Sequence, residues 1–173
     1  VRLSTGSLIV GGLQTRQEIL IWTDVGVVSM RFVGQPFIFS FNEIATGMSL
    51  ISPNGAATAG GVVYFMDDGA FYQYAGSVQK LPCTVLDYIF SDFNKAQAYK
   101  VFAAPNPKYN EIIWFYPSAS STEIDRYVTY NYLENSWSIG TTSDGFVRTA
   151  WNPAYGLDYP IAASKNDDSG LNY

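Results

Sequence analysis

The chain contains no histidine. That single absence removes Ser-His-Asp and Cys-His catalysis and every histidine-ligated metal centre from consideration. It contains one cysteine, Cys83 in "KLPCTV". One thiol forms no internal disulfide and no tetrahedral thiolate site, and Cys83 is read as a small buried hydrophobe. Charge is also scarce, at 14% of residues against about 25% in an ordinary soluble domain. Ten Lys and Arg stand against fifteen Asp and Glu, a net charge of −5. A protein that grips nucleic acid through phosphates needs clustered cations, and this balance opposes it. No apolar run is long enough for a membrane-crossing helix, and no signal peptide is visible. The chain opens "VRLSTGS" without an initiator Met and closes "DSGLNY", from which a piece of a longer polypeptide is expected.

What the chain has in quantity is apolar and aromatic side chains, 47% and 16% of its 173 residues. Such a sequence folds around a real core, and with so little charge much of its surface is expected to meet partners. The runs "EILIWTD", "VVSMRFV", "PFIFSFN", "GVVYFMDD", "AFYQYAG", "NEIIWFYP" and "RYVTYNYL" are rich in β-branched and aromatic residues and bounded by Gly, Asp, Asn and Pro. They read as short strands joined by tight turns. One helical interruption is expected over 84–99, "TVLDYIFSDFNKAQAY", with Thr84 as N-cap, Asp87 three residues on, and Val85, Tyr88, Ile89 and Phe93 as its apolar stripe. Asn94 and Gln97 are candidates to open a second short helix.

The strand pairs repeat. "ILIWTDVGVVSMR" from Ile19 aligns with "VVYFMDDGAFYQY" from Val62, placing Asp24 over Asp67 and Gly26 over Gly69. "IIWF" from Ile112 begins a third copy, whose second strand is delayed by the longer turn "YPSASSTEID". Pro160 to Ala163 begins a weaker fourth. A period of about 43 to 50 residues with four short strands per period is the pattern of β-propeller blades. The expected fold is therefore all-β, built of propeller-like blades of antiparallel strands with one short helical insertion. The units run over about 19–61, 62–111, 112–159 and an incomplete 160–173, forming a single region. Propellers close with about four to eight blades, so other parts of a parent chain would complete the ring, or the chain forms an arc. Asp at each turn start is expected to bond local backbone, and Gly to take the positive-φ position.

Blade packing also accounts for the aromatics. Trp22, Tyr64, Phe65, Trp114, Phe115 and Trp137 are expected between sheets, and Pro82 and Cys83, with the helix, between blades. In "DRYVTYNYLENSWSIGT" the tyrosines and Trp137 are read as the second strand, turn and third strand of a blade. The insertion before it, with Ser118, Ser120, Ser121, Glu123 and Asp125, is expected to be exposed and is the candidate contact with a neighbouring protein.

Chemistry-bearing patterns are few. "KNDDSG" and "MDDG" offer carboxylates for calcium but lack the spacing of a calcium loop, and both read as turns. Glu111, Asp125 and Glu134 are the carboxylates available for glycoside hydrolysis, with no spacing that singles out a pair. "GGLQTR" lacks a phosphate-binding lysine and helix. No cofactor is expected.

"TRQEILIWTD", "LISPNGAA", "VVYFMDDGAFYQYAG", "VQKLPCTVLDYIF", "NEIIWFYPSASSTEIDRYVTYNYLENSW" and "RTAW" resemble tail proteins of short-tailed bacteriophages, those called packaged-DNA stabilisation, tail-hub or nozzle proteins. The resemblance covers about Thr15 to Ser169. It implies a non-enzymatic virion protein, assembled in the host bacterial cytoplasm, several copies of which ring the tail axis. Its partners would be copies of itself, tail proteins on the adaptor and portal side and on the spike or fibre side, and packaged double-stranded DNA passing without sequence-specific binding. No catalytic residue carries over. The alternatives from other classes are a carbohydrate- or receptor-binding propeller, which would stack sugars on exposed Trp114, Trp137 or Trp151, and a glycan hydrolase with two facing carboxylates.

Overall fold

The computed structural model describes residues 6–142, 147–153 and 160–165. The chain divides into two compact units, Val1–Leu81 and Pro82–Tyr173. Among the described residues the fold is all-β, with antiparallel sheets and short helical pieces between them.

The first unit holds two four-stranded meanders. Strands β1 (Ile9–Gln14), β2 (Ile19–Thr23), β3 (Gly26–Phe32) and β4 (Phe39–Thr46) form one, in that spatial order. Strands β5 (Ala56–Ala59), β6 (Val62–Asp67), β7 (Ala70–Tyr74) and β8 (Val78–Lys80) form the other. β6 is buried on both faces, and β2 has one face buried and the other half-buried, which is why "ILIWT" and "VVYFMD" read as continuous apolar runs rather than alternating ones. The two meanders share one core, in which Leu20, Trp22, Val27, Leu50, Val63, Phe65 and Tyr74 pack together. Trp22 meets Phe65 edge to face, with ring centroids 5.3 Å apart, a favoured aromatic geometry.

The turns depart from expectation in instructive ways. Gly69 takes the positive-φ position, at +105°, but Gly26 does not. It is small because Ala45 O passes 2.6 Å from where its Cβ would be. Asp24 and Asp67 both bond backbone N–H groups of distant segments, and Asp67 also bonds the local backbone at Asp68. Asp24 accepts from Ser7 at 2.8 Å and Leu8 at 3.3 Å, and Asp67 accepts from Ser49 at 3.2 Å. The local turn after β2 is instead closed by Thr23, whose Oγ1 accepts from the N–H of Val25 and Gly26.

The second unit opens with helix α1 (Leu86–Ser91) and a 3-10 segment (Lys95–Lys100). Helix α1 starts after Val85 with no side-chain cap, so Thr84 is not the N-cap, and Asp87 falls in the first turn. Asn94 does open the second piece, its side chain accepting from the Ala96 N–H at 3.1 Å, whereas Gln97 sits at a kink inside it. Ile89 and Phe93 of the expected stripe are buried and Tyr88 is exposed. The sheet that follows is a third meander, β9 (Phe102–Asn106), β10 (Glu111–Tyr116), β11 (Arg126–Asn131) and β12 (Ser136–Thr141). A two-stranded sheet of β13 (Val147–Asn152) and β14 (Ile161–Lys165) comes last.

Each meander thus begins one strand before the repeat copies seen in the sequence. The strands β2, β6, β10 and β14 are equivalent second strands. "RYVTYN" and "SWSIGT" are consequently the third and fourth strands of their meander rather than the second and third. The calcium candidate "KNDDSG" lies, after Lys165, outside the described residues.

Candidate assembly surfaces

In the first unit a carboxylate that the sequence does not mark accepts from three side chains. Glu18 sits in the β1–β2 turn, where its N–H donates to Thr15 Oγ1 at 3.2 Å. Its side chain is 6% exposed. It accepts from Ser29 Oγ on β3, from Arg31 Nε at 3.0 Å and from Tyr74 Oη on β7 at 2.5 Å. Burial pushes the carboxyl up, but the bonds from Ser29, Tyr74 and Arg31 and the guanidinium charge outweigh it and hold Glu18 below the ordinary range. Burial and the adjacent carboxylate push Tyr74 up to about 12. Both carboxylate oxygens of Glu18 are taken up by donors from β3 and β7, so the cluster locks two sheets together rather than presenting an acid or base to a substrate.

The sequence-predicted core residues Trp22, Tyr64, Phe65, Trp114 and Phe115 are all buried. Trp137 is half-buried. It stacks on Trp114 at 6.1 Å, meets Tyr130 at a tilt at 4.6 Å, and its indole N–H donates to Pro82 O at 2.8 Å. It therefore fastens the meander to the segment that precedes α1. Cys83 is part-buried and burial pushes its thiol up, the opposite of an activated nucleophile.

The Ser118–Asp125 insertion is not a free solvated loop. Ser118 is fully buried. Both its N–H and its hydroxyl donate to Asp125, each at 2.7 Å, which closes the base of the loop. Asn94 Nδ2 donates to Ser121 O at 2.8 Å, and Lys100 Nζ donates to Thr122 O at 2.6 Å and pairs with Glu123 at 3.0 Å. Arg126 bridges Asp125 and Asp92. The insertion is long because it reaches the helical segment and is fastened to it. Only Ala119, Ser120 and Thr122 stay exposed, so a neighbour could meet the tip and not the whole insertion.

The carboxylates considered for hydrolysis do not face one another. Glu111 begins β10 and is bonded by Asn106 Nδ2 at 3.1 Å, while Asp125 lies at the opposite end of the β10–β11 hairpin and Glu134 is exposed in the β11–β12 turn. Among the described residues no three His, Cys, Asp or Glu side chains are placed to hold a metal ion. A cavity of about 380 Å³ does open on one face of the third meander, lined by Trp151, Tyr127, Phe115, Asn106, Glu111 and Arg148 among others.

The surfaces that sequence reasoning missed are apolar. Phe32, Val33, Phe37, Ile38 and Phe39, at the tip of the β3–β4 hairpin, are all exposed, Phe32 by 72% and Phe37 by 75%. In the second unit Tyr88, Tyr99, Tyr109 and Leu133 are exposed as well. The β9–β10 and β11–β12 turns that carry Tyr109 and Leu133 are joined by a bond from Asn131 Nδ2 to Tyr109 O at 3.1 Å. The sequence signal was present in "FVGQPFIFSFN", eleven residues without a charge. Among the described residues no helix is long and apolar enough to cross a membrane.

No protein-family model matches this chain, and no curated protein does.

Proposed function

We propose that this chain is a structural subunit of the tail of a short-tailed bacteriophage, a hub or nozzle component that works in a ring of identical copies. The observation that carries the reading is the pairing of internally locked blades with uncovered apolar side chains. The interior is closed by Trp22–Phe65 and Glu18–Tyr74 in one unit and by Trp114–Trp137 in the other. Tyr88, Tyr99, Tyr109 and Leu133 remain outside. Tyrosine is enriched at interface cores, where its ring buries area and its hydroxyl finds a partner. A surface this low in charge suits permanent contact better than free solution. The resemblance of phrases such as "VQKLPCTVLDYIF" and "EIDRYVTYNY" to phage tail-hub and nozzle proteins gives the reading its class.

In that role the work is mechanical. The two meanders of the first unit hold their shape under load because the Glu18–Tyr74 bond joins them, and the exposed tip of the Ser118–Asp125 loop meets an adjoining tail protein. A net charge of −5 suits a wall that DNA must slide past, since a basic wall would hold phosphate by counterion release. Electron microscopy of the particle that contains this chain tests the proposal. A ring on the tail axis below the portal and adaptor is the expected result. A chain found only as a monomer, or a ring whose lumen carries a clear excess of Lys and Arg, overturns the assembly or the channel role respectively.

The second reading is a glycan- or receptor-binding module. The cavity beside Trp151 favours it, because an indole, a tyrosine, an amide and a carboxylate are the groups that hold a sugar ring. Against it, Trp114 is fully buried and Trp137 is committed to Pro82. Calorimetric titration with oligosaccharides separates the two readings.

A further inference from the structure

We propose that the cavity beside Trp151 takes a sugar ring that carries a carboxylate, a uronic acid, with Arg148 holding the carboxylate. This ligand class rests on the glycan reading of the same cavity, which it narrows.

One wall of the cavity is made by an irregularity in β13. Arg148 pairs with Ser164 and Ala150 with Ala163, so Thr149 stands opposite no residue of β14. In a regular strand alternate residues share a face, and Arg148 and Trp151, three positions apart, point to opposite sides. The extra residue shifts that alternation by one. Arg148 and Trp151 thereby come to one face, where both line the cavity, while Thr149 and Ala150 are exposed. Bulges recur beside active sites, where they re-aim a side chain.

Both re-aimed groups have donors to give. Among the described residues Arg148 forms no ion pair, with Glu111 or any other carboxylate. Trp151 Nε1 is buried and has no acceptor among the described residues, although a buried N–H is ordinarily paired. A planar guanidinium takes a carboxylate through two parallel N–H bonds, a geometry that lysine or a hydroxyl does not reproduce.

The facing wall defines the rest of the ligand. Phe115 on β10 lies 5.8 Å from Trp151 and 6.1 Å from Tyr127, ring to ring, and these rings offer area to the C–H face of a sugar. Asn106 spends its Nδ2 on Glu111 Oε2 at 3.1 Å, which leaves Asn106 Oδ1 and Glu111 Oε1 to accept from ligand hydroxyl groups. Glu111 and Arg148 are the charged residues of the lining, one of each sign. A singly charged carboxylate suits that balance, whereas Glu111 repels a phosphate dianion more strongly. The volume of about 380 Å³ lies at the lower end of small-molecule sites, about 300–1,000 Å³, and so fits one ring better than a long chain of them.

Saturation-transfer NMR and calorimetric titration of the purified chain with glucuronate, glucose and cyclohexanecarboxylate test this. Glucose lacks the carboxylate, and cyclohexanecarboxylate lacks the hydroxyls. Glucuronate is expected to bind about tenfold or more tightly than either. Arg148→Gln should remove its advantage over glucose and leave glucose binding as it was. Trp151→Phe keeps a ring, deletes the N–H and should weaken glucuronate a few-fold. A thermal melt establishes that each variant is folded, as the unpaired state of Arg148 leads one to expect. Glucose bound as tightly as glucuronate, or a preference for glucuronate that Arg148→Gln leaves intact, overturns the assignment and lets the glycan reading stand. So does binding of neutral oligosaccharides without glucuronate. Cyclohexanecarboxylate bound as tightly as glucuronate, or no binding of any acid, sugar or oligosaccharide, overturns both.

Discussion

Tyr74 Oη donates to the carboxylate of Glu18 at 2.5 Å, although the two residues are 56 positions apart and belong to different meanders. This one bond turns two sheets that share an apolar core into sheets with a fixed register. Apolar contacts tolerate sliding, whereas a buried carboxylate with three donors does not. Tyr74→Phe removes the donor and leaves Ser29 and Arg31 to hold Glu18. The expected loss is about 1–2 kcal/mol in urea denaturation. Glu18→Leu should cost more, about 2–4 kcal/mol, because it strands the buried Tyr74 hydroxyl and the Ser29 hydroxyl together. An equal loss in the two variants would show that Tyr74 carries the whole cluster.

The same carboxylate gives the chain an acid-side limit. Glu18 is held below its ordinary value of 4.5 when folded, so the folded state binds its proton less readily than the unfolded state. Its contribution is fully present above that ordinary value and is lost as pH falls through the lower folded value. Asp67 runs the other way. Burial raises it above its ordinary 3.8, so it opposes folding at neutral pH and ceases to do so as the carboxyl is protonated. Glu18→Gln should therefore flatten the acid limb of a stability-versus-pH curve. Asp67→Asn, which keeps an acceptor for the Ser49 N–H, should raise the melting temperature slightly at pH 7 and not at pH 3. The gain is small because water still screens this half-exposed group.

Gly140 faces Tyr127 across the β11–β12 pair, and a Cβ there would lie inside the Tyr127 ring. The ring cannot move freely, since it packs against Phe115 at 6.1 Å. Gly140→Ala is predicted to push Tyr127 into the cavity beside Trp151 and to cost about 1–3 kcal/mol, the usual penalty of overpacking. Near-ultraviolet circular dichroism should change with it, because the aromatic cluster of Phe115, Tyr127 and Trp151 is rearranged. An unchanged melt and spectrum would mean that the ring escapes to solvent without resistance.

How far the sequence carried the reading depended on whether a residue's fate is set locally. Central strands have no face open to solvent, being buried or half-buried on each, so Ile19–Thr23, Val62–Asp67 and Glu111–Tyr116 declare themselves as apolar runs, and their repetition exposes the meander. The outer strands do not. "IVGGLQ" and "AATA" hold few bulky residues, and this is why the apparent repeat begins one strand late. Glu18 was illegible because a carboxylate in a turn is ordinarily solvated, and its three donors come from β3 and β7. The exposed β3–β4 tip was illegible for the complementary reason. "PFIFSFN" has the composition of a core strand, and nothing within it says that no sheet covers Phe37 and Ile38. The Ser118–Asp125 segment fell between these cases, since its serines mark a loop while the partners that fasten it, Asn94, Lys100 and Asp125, are not signalled within it.

That loop offers the sharpest separation of structural from interaction roles. Asp125→Ala deletes the acceptor for both donors of buried Ser118 and one partner of Arg126. It should cost about 1–3 kcal/mol and open residues 119–124 to limited proteolysis. Ser120→Arg and Thr122→Arg act only on the exposed tip and should leave the melt unchanged. If the tip meets a neighbouring protein, these two substitutions weaken assembly through bulk and charge while Asp125→Ala weakens it only by loosening the loop. Proteolysis and assembly measured on the same three variants thus distinguish a loop that binds from a loop that braces. Assembly that falls in step with protease sensitivity identifies a brace, and assembly lost in the two protease-resistant variants identifies the contact.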